Sequence, residues 1–378
     1  MSGLACSAFL YDLPLVVPLR LGKQELISRR GLIIRLSDAE GHSGYGEVAP
    51  FPGLHRETVE DAVRQWQGIQ PDWLGETVAE GLEHLQGGFG RWLDRYGLCP
   101  SLRHGLEMAV LNYLACRRGT TLAALLNPRY CNSLECNALL IGSDELTVQA
   151  RQLSAAGYST VKLKVGRQPL EQDIAFVRNA RQALGPACRL RLDANRYWDL
   201  ATAVRFGQAV AACEIEYIEE PLADPGQTTA FYELTGIPVA LDESLIPANP
   251  ATLAVPLGVS AFVLKPAVLG GFERTLRFIE LAKRRRLKAV ISSVFESGVG
   301  LAALANYAAA FCGPVPVGLD TYRWLREDLP EQRFTVDNGR IDVDGVYGRA
   351  RRLRIELFTP YMDWLNVENK LQFCRMYT

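Results

Sequence analysis

From about residue 133 onward, short apolar runs alternate with longer stretches whose apolar residues recur every three or four positions. That alternation predicts strands interleaved with amphipathic helices. The predicted strands span 134–141, 160–165, 189–193, 215–219, 238–242, 261–265, 289–293 and 314–318, and stretches such as 170–184 and 272–287 have helical periodicity. Eight parallel strands joined by right-handed crossovers close into a barrel. An open doubly wound sheet is the alternative, disfavoured because so many successive strands end in a charged residue.

The first 60 residues have a different rhythm. Phe9, Tyr11 and Leu13 alternate with other residues, a second run covers 31–36, a turn falls at Glu40-Gly41, and a third run covers 44–47. This predicts an antiparallel sheet, with loops around 14–30 and 50–55. From Glu57 to Arg118 the pattern is helical, ending in the apolar stretch 106–116 and the stop signal Arg117-Arg118-Gly119. Beyond Asp320, residues 333–343 read as a hairpin around Asp337-Asn338-Gly339, and the tail is expected to pack back on the N-terminal part. The expected division is an α+β capping domain over 1–120, a barrel over 121–320 and a returning C-terminal segment over 321–378.

Composition narrows the function classes. A chain of 378 residues that is 48% hydrophobic and 22% charged has the make-up of a folded globular protein rather than a disordered or fibrous one. With 41 basic and 42 acidic residues the net charge is -1, so no bulk field recruits nucleic acid or a membrane surface. The basic runs at 283–286 and 349–354 read as solvated surface, the first closing a predicted helix where cations suit the dipole. The nine cysteines are odd in number and lack metal-ligand spacing, which predicts reduced thiols in a cytosolic compartment. No signal-peptide pattern and no run of about 18 apolar residues stands out, and a cytoplasmic location is expected.

The charged residues at the strand ends change the picture. Lys162 and Lys164, then Asp193, Glu219, Asp242 and Lys265, each close an apolar run, and the steps from Lys164 onward are 29, 26, 23 and 23 residues, each the length of one strand-helix unit. In a parallel barrel such strand ends converge on one face. Lys162 and Lys164, two apart on one strand, point the same way. Burial and mutual repulsion make either ammonium easier to deprotonate, which is what a base requires. Three carboxylates in one pocket repel unless a cation or protons compensate them. An oxygen-only set suits Mg²⁺ or Mn²⁺ rather than zinc. Salt bridging between these acids and the lysines is the plainer alternative. All four histidines, His42, His55, His84 and His104, precede the barrel, so no histidine base is available on its strands.

With Lys-x-Lys on the second strand, Asp, Glu and Asp on the third to fifth and Lys265 on the sixth, the chain resembles the enolase superfamily, in particular its muconate-lactonizing subgroup. That superfamily is itself a standard example of a lysine or histidine base working beside Mg²⁺. The resemblance implies a (β/α)7β TIM-like barrel of the α/β class with an N-terminal α+β cap. Within the subgroup the chain is most similar to the o-succinylbenzoate synthase family. The similarity lies in Gly46-Glu47-Val48-Ala49-Pro50-Phe51-Pro52-Gly53 with Glu57-Thr58, in Arg191-Leu192-Asp193-Ala194-Asn195, in Ser292-Ser293-Val294-Phe295-Glu296-Ser297-Gly298 and in Gly318-Leu319-Asp320-Thr321. The family's seventh-strand pattern has one more serine, and here Val294 and Gly298 replace members of it.

The resemblance implies Mg²⁺-dependent dehydration of 2-succinyl-6-hydroxy-2,4-cyclohexadiene-1-carboxylate to o-succinylbenzoate, in menaquinone or phylloquinone synthesis. Asp193, Glu219 and Asp242 would hold the ion. Lys164 would act as base and then acid, Lys265 as electrostatic stabiliser on the opposite face, and Lys162 as the neighbour that keeps the pKa of Lys164 low. Ser292, Ser293 and the amides near Ser297 are candidates for the succinyl carboxylate, with a simple helix cap as the alternative, while Arg191 and Asn195 share the face of Asp193 and are candidates for orienting it or touching substrate. The partner is then a small anionic, succinyl-bearing molecule, with no nucleic acid and no membrane. Loops near 15–28 and 52–55 are expected to close the pocket. N-succinylamino-acid racemisation or dipeptide epimerisation, with Lys164 and Lys265 as opposed bases, is the rival within the superfamily. Gly318-Leu319-Asp320 does not match the Asp-x-Asp of dipeptide epimerases. Outside it stand a Schiff-base aldolase and a noncatalytic barrel.

Overall fold

The computed structural model describes residues 4–21, 24–73, 78–140 and 145–360. Strands β1 (Ala5–Leu21), β2 (Gln24–Ser37) and β3 (Ser43–Val48) form an antiparallel meander. Both of its faces are covered. Leu10, Leu32, Ile34, Leu36 and Val48 belong to the main core with helices Val59–Trp73 and Pro100–Arg117, while Tyr11, Leu13 and Ile33 pack with Val299 and Leu325. Double burial explains why 31–36 reads as a continuous apolar run instead of a clean alternation. Helix Pro100–Arg117 sits so close to β3 that a Cβ on Gly46 would lie 1.8 Å from the Gly105 carbonyl oxygen. Only a residue without a Cβ permits that approach.

The expected loop at 14–30 is instead a longer hairpin. β1 and β2 stay paired out to Leu19↔Leu26 and Arg20↔Glu25, with one irregularity between Pro14 and Leu19. Pro14 and Pro18 have no N–H for the ladder, and this is the interruption that the pattern registered. Residues 22–23, inside the expected mobile loop, lie outside the described residues.

The parallel strands are β5 (Ala138–Leu140), β6 (Thr160–Lys164), β7 (Arg189–Asp193), β8 (Ile215–Glu219), β9 (Val239–Leu241), β10 (Val259–Leu264) and β11 (Lys288–Ile291), adjacent in chain order. The ring closes through Val317 and Gly318. Val317 N donates to Glu135 O at 2.8 Å, and Gly318 N donates to Ile291 O at 2.8 Å. The expected eighth strand is thus reduced to isolated bridges, Cys136↔Val317 and Ser292↔Gly318. Pro314 and Pro316 supply no ladder donors.

Two other expectations change in detail. The first barrel strand is split: β4 (Ser133–Glu135) pairs antiparallel with β12 (Arg340–Asp342), with its end at Glu135 meeting Val317, while β5 pairs with β6. Ile141 lies outside the described residues. The turn at Asn338-Gly339 forms, with both residues at positive φ and Asp337 and Arg340 exchanging two backbone hydrogen bonds of 2.8 and 2.9 Å. The strand after it pairs with β4 rather than zipping back on 333–336, because Phe334 and Val336 are buried in the core instead. Strand β13 (Thr359–Pro360) pairs with β1 at Phe9 and Leu10, and residues 361–378 are outside the described part. The eight cysteines among the described residues form no disulfide, and no described helix is long and apolar enough to cross a membrane.

Candidate active site

Parallel register decides what meets what. Lys164, Asp193 and Glu219 are register partners on β6, β7 and β8, so they form one layer at the barrel mouth. Lys162, Arg191 and Tyr217 are partners one layer deeper. A cleft of about 2410 Å³ opens over the upper layer and reaches the deeper one, lined by Lys164, Asp193, Asn195, Glu219 and Lys265 and, below them, by Lys162 and Tyr217. The cap contributes Leu19, Phe51, Pro52, Gly53 and Leu54 to its rim.

Ion pairs knit the layer together. Lys162 Nζ lies 2.7 Å from both Asp193 Oδ2 and Glu219 Oε2. Lys164 Nζ donates to Asp193 Oδ2 at 2.5 Å and to Asn195 Oδ1 at 2.8 Å. Lys265 pairs with Asp242, which is not itself among the residues lining the cleft. The salt bridging offered as the plainer alternative is therefore present.

Two lysines on one strand end up with opposite tendencies. Burial opposes the charge of both. At Lys162 the attraction of Asp193, Glu219 and Asp242 outweighs it and raises the pKa well above the ordinary value. At Lys164 burial wins, helped by the charge of Lys162 and against that of Asp193, and the pKa is lowered. Burial opposes the charge of Lys265 as well, yet Asp242 and Glu219 raise its pKa. Among the acids, burial works against ionisation of Asp193, but Lys162 and Lys164 reverse it and hold that carboxyl far below its usual range. Glu219 goes the other way, pushed well up by burial and by the charge of Asp193.

The donor set fits a hard divalent cation. Three carboxylates project from consecutive strand ends, and Glu219 Oε1 is buried without any hydrogen-bond partner, a costly state for an acceptor that a cation would relieve. Asp193, Glu219 and Asp242 do not bring three ligand oxygens within 4.8 Å of one another, and Lys162 pairs with the first two while Lys265 pairs with the third. Among the described residues, three possible ligand atoms come within 4.8 Å of one another only at Asp38, Glu40 and His42, on a surface turn of the cap.

Of the other expected site residues, Ser292, Ser293 and Asn195 line the cleft. Both serine hydroxyls lie 3.3 Å from Gly318 O, and Ser293 Oγ is 2.7 Å from Thr321 Oγ1. Asn195 joins Lys164 to Glu243, donating to Glu243 Oε1 at 3.0 Å. Arg191 does not reach the cleft. Two residues before Asp193 it sits a layer lower, where its guanidinium donates to Glu216, Asn137 and the Pro316 carbonyl and stacks 5.2 Å over Tyr217. Ser297 does not reach it either: its hydroxyl donates to Glu47 and accepts from Val299 N, an N-cap. Substrate contact by these two is corrected on that geometry.

Sequence reasoning assigned no role to Glu220 and Glu243, the second members of the acidic doublets. Glu220, at a φ of +42°, accepts from Asp242 N at 2.8 Å and Ser244 N at 2.7 Å and so fixes the backbone that carries Asp242. The doublets Glu219-Glu220 and Asp242-Glu243 were the available signal.

Comparison with known proteins gives two family matches. The family described as enolase C-terminal domain-like matches residues 145–349, and the one described as MenC, N-terminal domain, matches residues 5–113. The chain is 34% identical over 328 residues to the o-succinylbenzoate synthase of Vibrio cholerae serotype O1, covering 84% of this chain and 90% of that protein. It is 35% identical over 338 residues to Protein PHYLLO, chloroplastic, of Arabidopsis thaliana, covering 80% of this chain but spanning only 20% of that much longer relative. Among solved structures, it is similar to a dipeptide epimerase from Methylococcus capsulatus complexed with Mg and dipeptide L-Arg-D-Lys, with a TM-score of 0.78 at 25% identity over 91% of this chain and 97% of that one. The muconate lactonizing enzyme from Pseudomonas fluorescens shares the fold, with a TM-score of 0.79 at 23% identity over 90% of this chain and 94% of that one.

Proposed function

Since the chain belongs to the enolase superfamily and, within it, to the o-succinylbenzoate synthase family, we propose that it dehydrates 2-succinyl-6-hydroxy-2,4-cyclohexadiene-1-carboxylate to o-succinylbenzoate, in the formation of menaquinone or phylloquinone. The observation that supports this most directly is the shared layer of Lys164, Asp193 and Glu219, with a lysine whose proton is loosely held beside two carboxylates.

In this reading the neutral amine of Lys164 removes the proton α to the ring carboxylate. The same ammonium then returns that proton to the departing hydroxyl, so water leaves, the ring becomes aromatic and the lysine is neutral again. Asn195 Oδ1 and Asp193 Oδ2 aim the Lys164 amine. Lys265, charged throughout, stabilises the anionic intermediate from the opposite side, and Lys162 keeps a positive charge near Lys164. Asp193, Glu219 and Asp242 would hold a divalent ion, Mg²⁺ or alternatively Mn²⁺, which supplies Lewis-acid stabilisation of charge on the substrate carboxylate. Ser292 and Ser293 offer hydroxyls to the succinyl carboxylate. A small anionic, succinyl-bearing substrate, no nucleic acid or membrane partner, a cytoplasmic location and domain limits at 120 and 320 belong to the same proposal.

The test is one preparation assayed with the diene acid and with a panel of N-succinyl amino acids. The diene acid should give the higher kcat/KM. A racemase value equal to or above it would overturn the assignment and leave the superfamily membership standing.

A further inference from the structure

One buried carboxylate outside the cleft joins the cap sheet to the barrel. Glu47, on β3, is 1% exposed and does not line the cleft, yet both of its oxygens are fully engaged. Oε1 accepts from the Tyr11 hydroxyl and from Ser297 N at 2.9 Å, and Oε2 accepts from Ser297 Oγ at 2.7 Å and Gly300 N at 2.8 Å. Three of these four donors belong to the N-terminal end of helix Gly298–Phe311, which follows β11. The backbone N–H groups there have no partner within the helix, and a carboxylate also suits the positive end of its dipole. A Cβ on Gly300 would lie 2.7 Å from Glu47 Oε2, so the bare glycine leaves the carboxylate its place.

The segment just before that helix forms part of the cleft wall. Ser293, Val294 and Phe295 line the cleft, and Phe295 sits at a φ of +64°, a conformation an aromatic residue adopts only where its surroundings impose it. The cap imposes it from two strands. Arg29, on β2 and 2% exposed, donates to Phe295 O at 3.1 Å and to the carbonyls of Ala49 and Pro50 at 2.8 and 3.1 Å. In this arrangement the Phe295 ring stacks on Phe51 at 5.5 Å and meets Trp324 edge-on at 6.1 Å.

We propose that Glu47 is a positioning residue for the substrate wall: by capping helix Gly298–Phe311 from the cap sheet, it holds Ser293, Val294 and Phe295 in the shape that receives the succinyl arm. The inference rests on the reading of Ser292 and Ser293 as donors to the succinyl carboxylate. The capping of this turn is divided: Asp328 accepts from Gly298 N at 2.7 Å, the Ser297 hydroxyl from Val299 N, and Glu47 from Gly300 N. Glu47 differs from Asp328 in tying that same turn to the sheet that carries Arg29 and the Phe51 loop.

The test compares Glu47→Gln with Asp328→Asn in the full-length, Mg²⁺-loaded protein. Glu47→Gln places amide hydrogens against the N–H and hydroxyl donors. It should raise KM for the diene acid, and Kd for o-succinylbenzoate by calorimetry, about tenfold while kcat stays within about threefold, because binding geometry and not proton transfer is disturbed. Asp328→Asn should lower Tm with KM and Kd held within about twofold. A Glu47→Gln protein with lowered Tm but unchanged KM and Kd would show a merely structural role and overturn the proposal, as would a fall in kcat at constant KM. If Glu47→Gln does not fold, Glu47→Asp, one methylene shorter and still charged, carries the same comparison. Hydrogen exchange over 292–300 separates this inference from the assignment of function. That segment should exchange faster in the Glu47 variant and unchanged in the other barrel strands, whether or not the wild type turns over the diene acid. Unchanged exchange there would overturn the positioning role by itself.

Discussion

Lys164 and Asp193 are register partners on neighbouring parallel strands, and the lysine Nζ donates to Asp193 Oδ2 at 2.5 Å. The strand ladder, rather than a loop, therefore fixes the separation of the candidate base from the first carboxylate. Lys164→Ala should reduce turnover of the diene acid by at least about 10²- to 10⁴-fold, the usual cost of losing an acid-base group, and by more if one amine serves both steps. Circular dichroism should show a folded protein. Near-normal turnover by this variant would exclude Lys164 as the proton carrier.

Each of Asp193, Glu219 and Asp242 should be needed for divalent-ion binding. Asp193→Asn, Glu219→Gln and Asp242→Asn are expected to weaken Mg²⁺ binding measured by calorimetry, and exhaustive chelation of the wild type should abolish activity until Mg²⁺ or Mn²⁺ is restored. Full activity after chelation would refute a metal role for these carboxylates.

Arg191 should matter for folding and not for substrate. It is fully buried and donates to Asn137 Oδ1 and the Pro316 carbonyl, both at 2.9 Å, and leaving a buried acceptor unsatisfied costs about 1–3 kcal/mol. Arg191→Met should lower the denaturant midpoint markedly, with KM of the folded fraction unchanged within about twofold. A large rise in KM at unchanged stability would return Arg191 to the substrate site.

Stability should fall as pH rises through the range set by Glu107. This fully buried carboxyl on helix Pro100–Arg117 is pushed up to about 7 by burial, with hydrogen bonds from Glu273 N and Arg103 acting against the shift. Between the unfolded value near 4.5 and about 7 the folded protein keeps the proton and the unfolded chain releases it. The stabilisation is complete below the unfolded pKa and is lost as pH climbs through the folded one. Glu107→Gln, which is neutral at every pH, should flatten the decline in Tm between about pH 5 and 7.5. An identical slope in wild type and variant would show that Glu107 does not titrate in this range.

The chain pattern by itself determined the parallel barrel, the sheet before it and the identity of the charged residues at the strand ends, because strand and helix periodicities are local and a charge closing an apolar run marks the strand terminus. Tertiary structure decided everything that depends on depth and on distant partners. Lys162 and Lys164 have nearly the same local context, and only the number of carboxylates around each separates a lysine held charged from one inclined to lose its proton. Period-two alternation puts Arg191 and Asp193 on one face but says nothing of partners: Lys162 and Tyr217 of the deeper layer line the cleft, whereas the Arg191 guanidinium is held on Glu216, Asn137 and the Pro316 carbonyl and does not. The pattern left Ser297 open between substrate contact and a helix cap, and only the fold brought Glu47, 250 residues away, against its hydroxyl. The eighth strand shrank to two bridging residues and the strand after Gly339 chose β4, since hydrogen-bond donors and core burial, which are properties of the assembled neighbours, select among pairings that the pattern alone permits.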